Sequence, residues 1–411
     1  MPEVFLVGGV RTALGRYGGV LSSVRPDDLA ALVVREVLQR ENVPDEVVDE
    51  VILGAANQSG EDNRNVARMA ILLAGIPESV PGFTVNRLCA SGLTAIASAV
   101  HMVRSGEADL VIAGGVESMT RAPWVLAKPG TPWARPGEIV DTSIGWRFIN
   151  PVFSARDGLV SKNASAPVRQ SPVARTTLSM GETAGEVAAL DGITRQECDA
   201  FSLRSHQRAI AAINAGRFRQ EIVPVHTKSG VVEIDEGPRN DSSMERLGML
   251  PTIFREGGVV TAGSSSPLSD GAAAVIVASE RALSEYALVP RARVVASASA
   301  GVAPNVMGLG PVPATQKVLA RVKWSIDELG SVELNEAFAA QSLAVVRRLG
   351  LDEEIVNADG GAIALGHPLG CSGARIMVTL LGRMEREKVR RGIATLCVGV
   401  GQGVAMLVER P

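Results

Sequence analysis

Cys89 is the residue around which chemistry can be built in this chain. It lies between a strand-like run, residues 83–85, and a long stretch of small apolar residues that predicts a buried helix. A cysteine at a helix start lies at the positive end of the helix dipole, which favours the reactive thiolate. Most free cysteines are simply small buried hydrophobic residues. Cys89 is therefore a candidate nucleophile, with packing as the alternative.

Two glycine-rich loops supply the groups that such a thiolate needs. His367 stands in GGAIALGHPLG just before a predicted helix, and an imidazole near its ordinary pKa of about 6.5 takes a thiol proton at neutral pH. Cys397 ends a buried strand in LCVGVGQG, where glycines let backbone N–H groups approach a ligand and form an oxyanion hole. For His367 alone, a core histidine remains the alternative.

A fourth stretch, VELNEAFAAQS, places Asn335 at a junction between a strand and a helix. Its amide either caps the helix, or holds a catalytic water or orients the histidine. The remaining candidates have simpler interpretations. We expect Cys371 to be a packing residue in the protein interior and His226 to lie on a strand surface. We expect Cys198 and His206 to take no part in the chemistry.

The elements that must position these residues alternate between strands and helices, which predicts α/β layers with a largely parallel sheet. The chain also contains a short internal repeat, an internal echo in which two similar pairs of motifs occur in the same order. CASGLTAI is followed about 20 residues later by LVIAGGVE, and CSGARIMV is followed in the same way by ATLCVGVGQ. This echo predicts a duplicated domain whose halves face each other, so that the starts of the matching helices bring Cys89 and His367 within reach.

Composition excludes several classes of function. The 411 residues are 46% hydrophobic, 21% charged and only 3% aromatic, and include 43 glycines, so a large aliphatic core is expected. The net charge of −3 gives no sign of a nucleic-acid-binding protein. Four widely separated cysteines without a CxxC motif argue against a zinc site or a disulfide framework. Without a secretion signal or a membrane-spanning run, we expect a cytoplasmic protein with no membrane partner.

Five motifs in order, NRLCASG, ESMTRAP, NEAFA, GGAIALGHPLG and CVGVGQG, resemble the thiolase family, and the resemblance runs essentially from end to end. It implies a thiolase-like duplicated α-β-α-β-α five-layered fold with an inserted loop domain. The implied N-terminal thiolase domain comprises residues 1–120 plus 269–289. Residues 121–268 would form the inserted loop domain, where the composition turns proline-rich and polar, and residues 290–411 the C-terminal domain.

The resemblance also implies catalytic roles. Cys89 would be acylated by the substrate, and His367 would activate it and help to bind the thioester oxygen. Cys397 would protonate or deprotonate the methyl carbon of acetyl-CoA. Asn335 would hold the water of one oxyanion hole, and the backbone N–H groups of Cys89 and Gly399 would form the other.

Further residues are implied to contact the substrate. Ser266, in TAGSSSP, matches a serine near the pantetheine arm of CoA, and Met180 and Arg147 are further candidates. The chain departs from the common family pattern at two places. Ser264 stands where asparagine is more frequent, and Val400 replaces a glycine of the usual CxGGG motif.

The stretches ANQSGEDNRNVARMA, ESMTRAPWV, DTSIGWRFINP and CVGVGQG look most like the 3-oxoadipyl-CoA (β-ketoadipyl-CoA) branch of the family. This resemblance implies thiolytic cleavage to succinyl-CoA and acetyl-CoA. The terminal carboxylate of that substrate needs a cation, for which Arg147 and Arg121 are candidates, with structural arginines as the alternative.

Other functions stay open. They are an acetyl-CoA acetyltransferase that makes acetoacetyl-CoA, a medium-chain 3-ketoacyl-CoA thiolase, and a non-catalytic CoA- or lipid-binding relative. A decarboxylating ketoacyl synthase fits less well, because it would have a second histidine in place of NEAF and would lack Cys397. We expect no permanently bound cofactor or metal, CoA and acyl-CoA as substrates, and a homo-oligomer, either a dimer or a tetramer.

Overall fold

The computed structural model of the chain describes residues 2–150, 153 and 176–411. The strands within these residues are β1 Val4–Thr12, β2 Gly15–Arg16, β3 Glu50–Gly54, β4 Gly82–Val85, β5 Leu110–Ser118, β6 Trp124–Leu126, β7 Ile139–Asp141, β8 Ile222–Val223, β9 Val225–Thr227, β10 Gly230–Val232, β11 Ser269–Ser279, β12 Pro290–Gly301, β13 Ser331–Leu334, β14 Arg391–Val398 and β15 Gln402–Glu409. The helices are α1 Pro26–Arg40, α2 Val66–Leu73, α3 Ser91–Ser105, α4 Met180–Asp191, α5 Arg195–Asn214, α6 Met244–Gly248, α7 Glu280–Glu285, α8 Pro311–Val322, α9 Ala339–Leu349, α10 Ala362–Leu365 and α11 Leu369–Arg386.

The main sheet consists of two similar halves. One half has the order β4-β3-β5-β11-β1, and the other has the order β13-β14-β15-β12. The edge strands β1 and β12 pair antiparallel and join the two halves into one sheet. A parallel bridge between Val332 and Val356 extends the second half in the way that β4 extends the first. The duplication predicted from the internal echo is therefore confirmed.

The prediction of a largely parallel sheet is wrong, because the sheet is mixed. The strand β3 runs parallel to β4 and β5, and β13 runs parallel to β14, whereas β11 is antiparallel to both β1 and β5. The strands β14 and β15 are joined by a short turn, which permits only antiparallel pairing. In the first half, β11 reaches its place only after residues 119–268 have intervened.

Five layers follow from how the helices cover this sheet. The helices α1 and α2 bury apolar residues against the outer face of the first half-sheet. The helices α3 and α11 share one apolar core with the inner faces of both half-sheets, and α8 and α9 cover the outer face of the second. Each half-sheet thus lies between helices, and the two central helices lie between the half-sheets. The α-β-α-β-α arrangement is confirmed.

The central helices approach each other closely where they begin. A Cβ atom on Gly92 of α3 would lie 2.8 Å from both the Gly370 carbonyl oxygen and the Ala374 nitrogen. A Cβ atom on Gly373 of α11 would lie 2.4 Å from the Leu93 nitrogen. Only glycine permits this contact at either position. The Ser-Gly pairs of the internal echo therefore bring the two helix starts together.

The segment between β5 and β11 contains the hairpin β6–β7, the helices α4 and α5, and the hairpin β9–β10. Capping boxes at Ser179 and Thr194 begin α4 and α5. His226 is exposed on β9, as predicted. Part of the expected loop domain, residues 151–152 and 154–175, lies outside the described residues, and the division into domains stays a prediction. No described helix is both long and apolar enough to cross a membrane, and the cytoplasmic location also stays a prediction.

Candidate active site

Cys89 lies in a 3-10 turn, Leu88–Ala90, that leads directly into α3. The turn is held by Ser91, whose hydroxyl donates to the Leu88 carbonyl oxygen at 2.7 Å. The backbone N–H groups of Gly399 and of Cys89 itself hydrogen-bond to the thiol sulfur. Two backbone donors converge on one atom, which is the geometry that stabilises negative charge developing there.

The protonation of Cys89 differs from the sequence-based expectation. Burial raises the pKa of the thiol to about 11, and the nearby negative charge of Glu117 raises it further, although the two backbone N–H groups lower it. The expectation that the helix start favours the thiolate is therefore wrong for the unliganded protein, because desolvation outweighs it. A base must take the proton when the thiol reacts.

His367 is held by hydrogen bonds on both its backbone and its ring. Its N–H donates to the Ser269 hydroxyl at 3.2 Å, and its Nδ1 lies 2.6 Å from the Ser372 hydroxyl. Because the Ser372 hydroxyl donates its proton to the Pro368 carbonyl oxygen at 2.9 Å, it accepts from Nδ1–H. This arrangement assigns the ring proton to Nδ1 and leaves Nε2 as the acceptor.

The electrostatic surroundings keep this imidazole neutral. Burial lowers the pKa of His367 to about 3, and the positive charge of Arg375 adds to the effect. The pKa near 6.5 expected from the sequence is therefore wrong. The neutral ring is nonetheless the form that accepts a proton, so the site keeps His367 in its basic form across the physiological pH range.

Asn335 lies next to the imidazole and is fully buried. Its Nδ2 atom is 3.4–3.5 Å from both ring nitrogens of His367. Its Oδ1 atom has no hydrogen-bond partner among the described residues. Since α9 begins at Ala339 with Phe338 as its N-cap residue, the helix-capping alternative for Asn335 is wrong.

Cys397 lies at the end of β14 and is buried. Burial raises the pKa of its thiol, and the nearby sulfur of Cys89 raises it further. It belongs to an apolar cluster with Ala337 and Phe338, against which Met180 packs. The second thiol is therefore close to the first and stays protonated at neutral pH.

Two of the predicted substrate-binding residues border the same place. The Ser266 N–H donates to the Ala337 carbonyl oxygen at 3.0 Å, two residues after Asn335. The sulfur of Met180 lies 3.8 Å from where a Cβ atom on Gly399 would be. Thus Ser266 lies beside the segment that carries Asn335, and Met180 lies beside Gly399 and Cys397.

The two arginine candidates differ in their surroundings. Arg121 forms an ion pair with Glu61 and donates to a backbone carbonyl, so its guanidinium is already engaged. Arg147 is half-buried in the segment between β5 and β11. The indole of its neighbour Trp146 donates to the Leu178 carbonyl oxygen at 3.1 Å, beside the start of α4. Arg121 is therefore tied within the structure, and Arg147 stays a candidate for the cation.

Two buried residues that the sequence analysis did not single out support the site. Ser372 is the hydroxyl on the His367 ring, and its match to Ser91 in the internal echo was the available signal. Glu117 is the penultimate residue of β5 and accepts from Ala56 N–H at 2.9 Å, Asn57 N–H at 3.0 Å and Gly370 N–H at 2.8 Å. Burial raises its pKa to about 7.

Cys371 packs as predicted, in the apolar cluster against which Cys89 also packs, whereas His206 lines a cavity beside Ser265 and Pro267, so its lack of a role stays a prediction. Cys371 and Cys198 are buried within apolar clusters. The Nδ1 atom of His206 accepts from the Arg239 N–H at 3.3 Å. No group of three or more metal-binding side chains occurs among the residues that the structure describes.

Two cavities border the segments that carry Ser266 and Met180. A cavity of about 500 Å³ is lined by three arginines, Arg16, Arg239 and Arg246, by Asp241, which forms an ion pair with Arg246, and by residues on both sides of Ser266. A cavity of about 740 Å³ lies between α4 and residues 254–260, and its lining includes three glutamates and one arginine. The smaller cavity is therefore the more cationic of the two.

Fold and site together define a thiolase. The family model of the thiolase N-terminal domain matches residues 4–281, and that of the thiolase C-terminal domain matches residues 288–410. The chain belongs to the thiolase family of acyltransferases.

Among curated relatives, the chain is 51% identical to the 3-oxoadipyl-CoA/3-oxo-5,6-dehydrosuberyl-CoA thiolase of Escherichia coli K12, with all of both chains covered. It is also 51% identical to the beta-ketoadipyl-CoA thiolase of Pseudomonas aeruginosa over 99% of each chain. Among solved structures, it resembles human mitochondrial 3-ketoacyl-CoA thiolase in complex with CoA, with a TM-score of 0.90, 37% identity, and coverage of 100% of this chain and 98% of that one.

Proposed function

We propose that the protein cleaves 3-oxoadipyl-CoA with CoA, giving succinyl-CoA and acetyl-CoA through an acyl-Cys89 intermediate. The convergence of two backbone N–H groups on the sulfur of Cys89, beside a second thiol, carries this proposal. The substrate class rests on the 51% identity, over full length, to relatives with this named activity.

In the first half-reaction, Cys89 attacks C3 of the substrate while Nε2 of His367 takes its proton. The N–H groups of Cys89 and Gly399 stabilise the resulting oxyanion. The C2–C3 bond then breaks, and the electron pair forms the enolate of acetyl-CoA. Cys397 protonates the enolate carbon and becomes a thiolate.

Asn335 supports the enolate in this scheme. Its Oδ1 atom, which has no partner among the described residues, is available to accept from a water that donates to the enolate oxygen. His367 supplies the second donor to that oxygen once it carries the proton of Cys89. The enolate is the least stable species of the reaction, so these donors should contribute most of the rate.

In the second half-reaction, the incoming CoA thiol gives its proton to the Cys397 thiolate and attacks the acyl group. Cys89 leaves as a thiolate and recovers its proton from His367. All protons are thereby returned, and no permanently bound cofactor or metal takes part in the scheme.

CoA would bind along the segment that carries Ser266, with its phosphates in the smaller cavity. The side chains of Arg16, Arg239 and Arg246 suit anionic phosphates, whereas the glutamates of the larger cavity do not. Ser266 and Met180 would then contact the pantetheine arm near the thiols.

A homo-oligomer, dimer or tetramer, is also part of the proposal. The strand β4 forms an edge of the sheet, and its Phe83 is 38% exposed. Cys89 lies four residues after Val85, the last residue of this strand. The hairpin β6–β7 exposes Trp124, Leu126 and Ile139. Such an edge and such an apolar hairpin suit pairing with other copies of the chain, and sedimentation velocity would test it.

Mass spectrometry tests the roles of the two thiols. The wild-type protein incubated with acetoacetyl-CoA should gain an acetyl group on Cys89, and C89A should gain none. C397A should still be acylated from acetyl-CoA, but should not exchange deuterium into the methyl group of acetyl-CoA. An acyl adduct on C89A would overturn the assignment.

The substrate class needs a separate test. Wild-type kcat/KM should be greater for 3-oxoadipyl-CoA than for acetoacetyl-CoA. R147Q should lower the value for 3-oxoadipyl-CoA about 10-fold to 100-fold, because a carboxylate loses its charged partner, and should leave acetoacetyl-CoA unaffected. R135Q, at an exposed arginine of the same segment, is the control. A preference of the wild type for acetoacetyl-CoA would instead favour an acetyl-CoA acetyltransferase.

A further inference from the structure

Val400 stands in the turn between β14 and β15 with a φ angle of 66°. A β-branched residue rarely adopts this left-handed conformation, which is unfavourable for its side chain. Val400 is also 41% exposed, so burial within the chain does not offset the cost. Glycine, which the family more often has at this place, would carry no such cost.

The surroundings impose the shape of this turn whichever residue occupies position 400. The next residue, Gly401, also has a positive φ, 88°, and its carbonyl oxygen accepts from the Val302 N–H at 2.9 Å. A Cβ atom on Gly401 would lie 2.3 Å from the Val302 carbonyl oxygen. Since the backbone is fixed and glycine or asparagine fits it better, the turn itself does not explain the valine.

The position of the turn offers a reason. The residue before Val400 is Gly399, whose N–H reaches the sulfur of Cys89. A Cβ atom on Gly399 would lie 3.1 Å from Cδ1 of Leu88 and 3.8 Å from the sulfur of Met180. Apolar side chains therefore border the turn where it meets the nucleophile.

We propose that Val400 is a specificity-determining residue, whose isopropyl group narrows the acyl-binding site beside Cys89 and disfavours 3-oxoacyl-CoA substrates branched at C2 or C4. This inference rests on the proposed function, in which the Gly399 N–H binds the oxygen on C3. The carbons C2 and C4 flank that oxygen, so they are the substrate atoms nearest to the residue after Gly399.

The test compares three substrates: unbranched acetoacetyl-CoA, 2-methylacetoacetyl-CoA, and 4-methyl-3-oxopentanoyl-CoA. In V400G, the ratio of kcat/KM for a branched substrate to that for acetoacetyl-CoA should rise about tenfold, the usual effect of a methyl-sized change in a pocket. V400A should give a smaller rise. V400N, which retains bulk but tolerates a positive φ, should keep the wild-type ratio.

Lys388 provides the control for backbone strain. It has a φ of 53°, is exposed, and lies just after α11, away from the site. K388G should relieve the same kind of strain without changing the substrate ratios. An unchanged ratio in V400G and V400A, or a V400N ratio equal to that of V400G, would overturn the inference. If wild-type protein cleaves none of these substrates or 3-oxoadipyl-CoA, the proposed function fails instead.

Discussion

The two halves of the molecule share a sheet order and a central helix but carry different chemistry where those helices begin. In the first half, Ser91 hydrogen-bonds to the turn that carries Cys89. In the second half, the matching Ser372 bonds to the ring of His367. The same hydroxyl position thus supports the proposed nucleophile in one half and the proposed base in the other.

The strand ends differ in a complementary way. The end of β5 in the first half reaches the start of α11 in the second, where Glu117 accepts from Gly370 N–H at 2.8 Å. The end of β14 in the second half reaches the start of α3 in the first, where Gly399 N–H bonds to the sulfur of Cys89. These two contacts between a strand end and a helix start are equivalent junctions. The carboxyl group of Glu117 fills the junction of β5 with α11, and the absence of a side chain on Gly399 leaves the junction of β14 with α3 open for the thiol of Cys89. Duplication therefore provides two equivalent junctions, and only one of them holds a thiol, which is the basis for the proposed nucleophile.

Removing His367, the proposed base in the second half, should have the largest of the predicted effects on reactivity. H367A should slow alkylation of Cys89 by iodoacetamide at pH 7 by about 10²-fold to 10⁴-fold, the usual contribution of a general base. The pKa of His367 is lowered to about 3, so His367 stays unprotonated between pH 5 and pH 9. Protonation of this residue should therefore cause no loss of the wild-type alkylation rate in that range. The inactivation rate at each pH measures both effects. An H367A rate equal to that of the wild type would contradict the role of base.

Removing the equivalent hydroxyl groups of Ser91 and Ser372 should have unequal effects on activity. S372A removes the acceptor of Nδ1–H, so it should lower kcat about tenfold with little change in KM, and S372T should restore most of the activity. S91A removes two hydrogen bonds of the turn, one to the Leu88 carbonyl oxygen and one from the Arg87 N–H, so it should lower the melting temperature and leave kcat nearly unchanged. Steady-state kinetics and thermal unfolding of the three variants provide the comparison. Equal losses of kcat in S91A and S372A would contradict the difference in their roles.

The sequence predicted those parts of this comparison that depend on local pattern. The helix predicted after Cys89 is α3, and the helix predicted after His367 is α11. The resemblance of five motifs supplied the candidate residues, and the echo supplied the pairing of halves. Strand direction could not be predicted, because it depends on where β11 enters the sheet after a long intervening segment.

The protonation states of the site residues and the residues that support them also could not be predicted from the sequence. The pKa values of Cys89 and His367 are set by desolvation, which requires knowing what surrounds each group in space. The role of Glu117 could not be predicted, because its three backbone donors come from two distant parts of the chain. The strain at Val400 became visible only with its φ angle.

The smallest of the predicted effects concerns the junction that Glu117 fills. E117Q replaces an acceptor of three N–H groups by an amide with one acceptor oxygen, and should destabilise the protein by about 1–3 kcal/mol at pH 5. The folded-state pKa of Glu117 is raised from 4.5 to about 7, so the folded protein binds the proton more tightly than the unfolded chain. The stability that this group contributes is therefore present below pH 4.5 and is lost as the pH rises through 7. Denaturant unfolding should accordingly show a smaller deficit of E117Q at pH 7.5 than at pH 5. A deficit that grows with pH would mean that Glu117 is preferentially ionised in the folded protein, which would contradict its raised pKa.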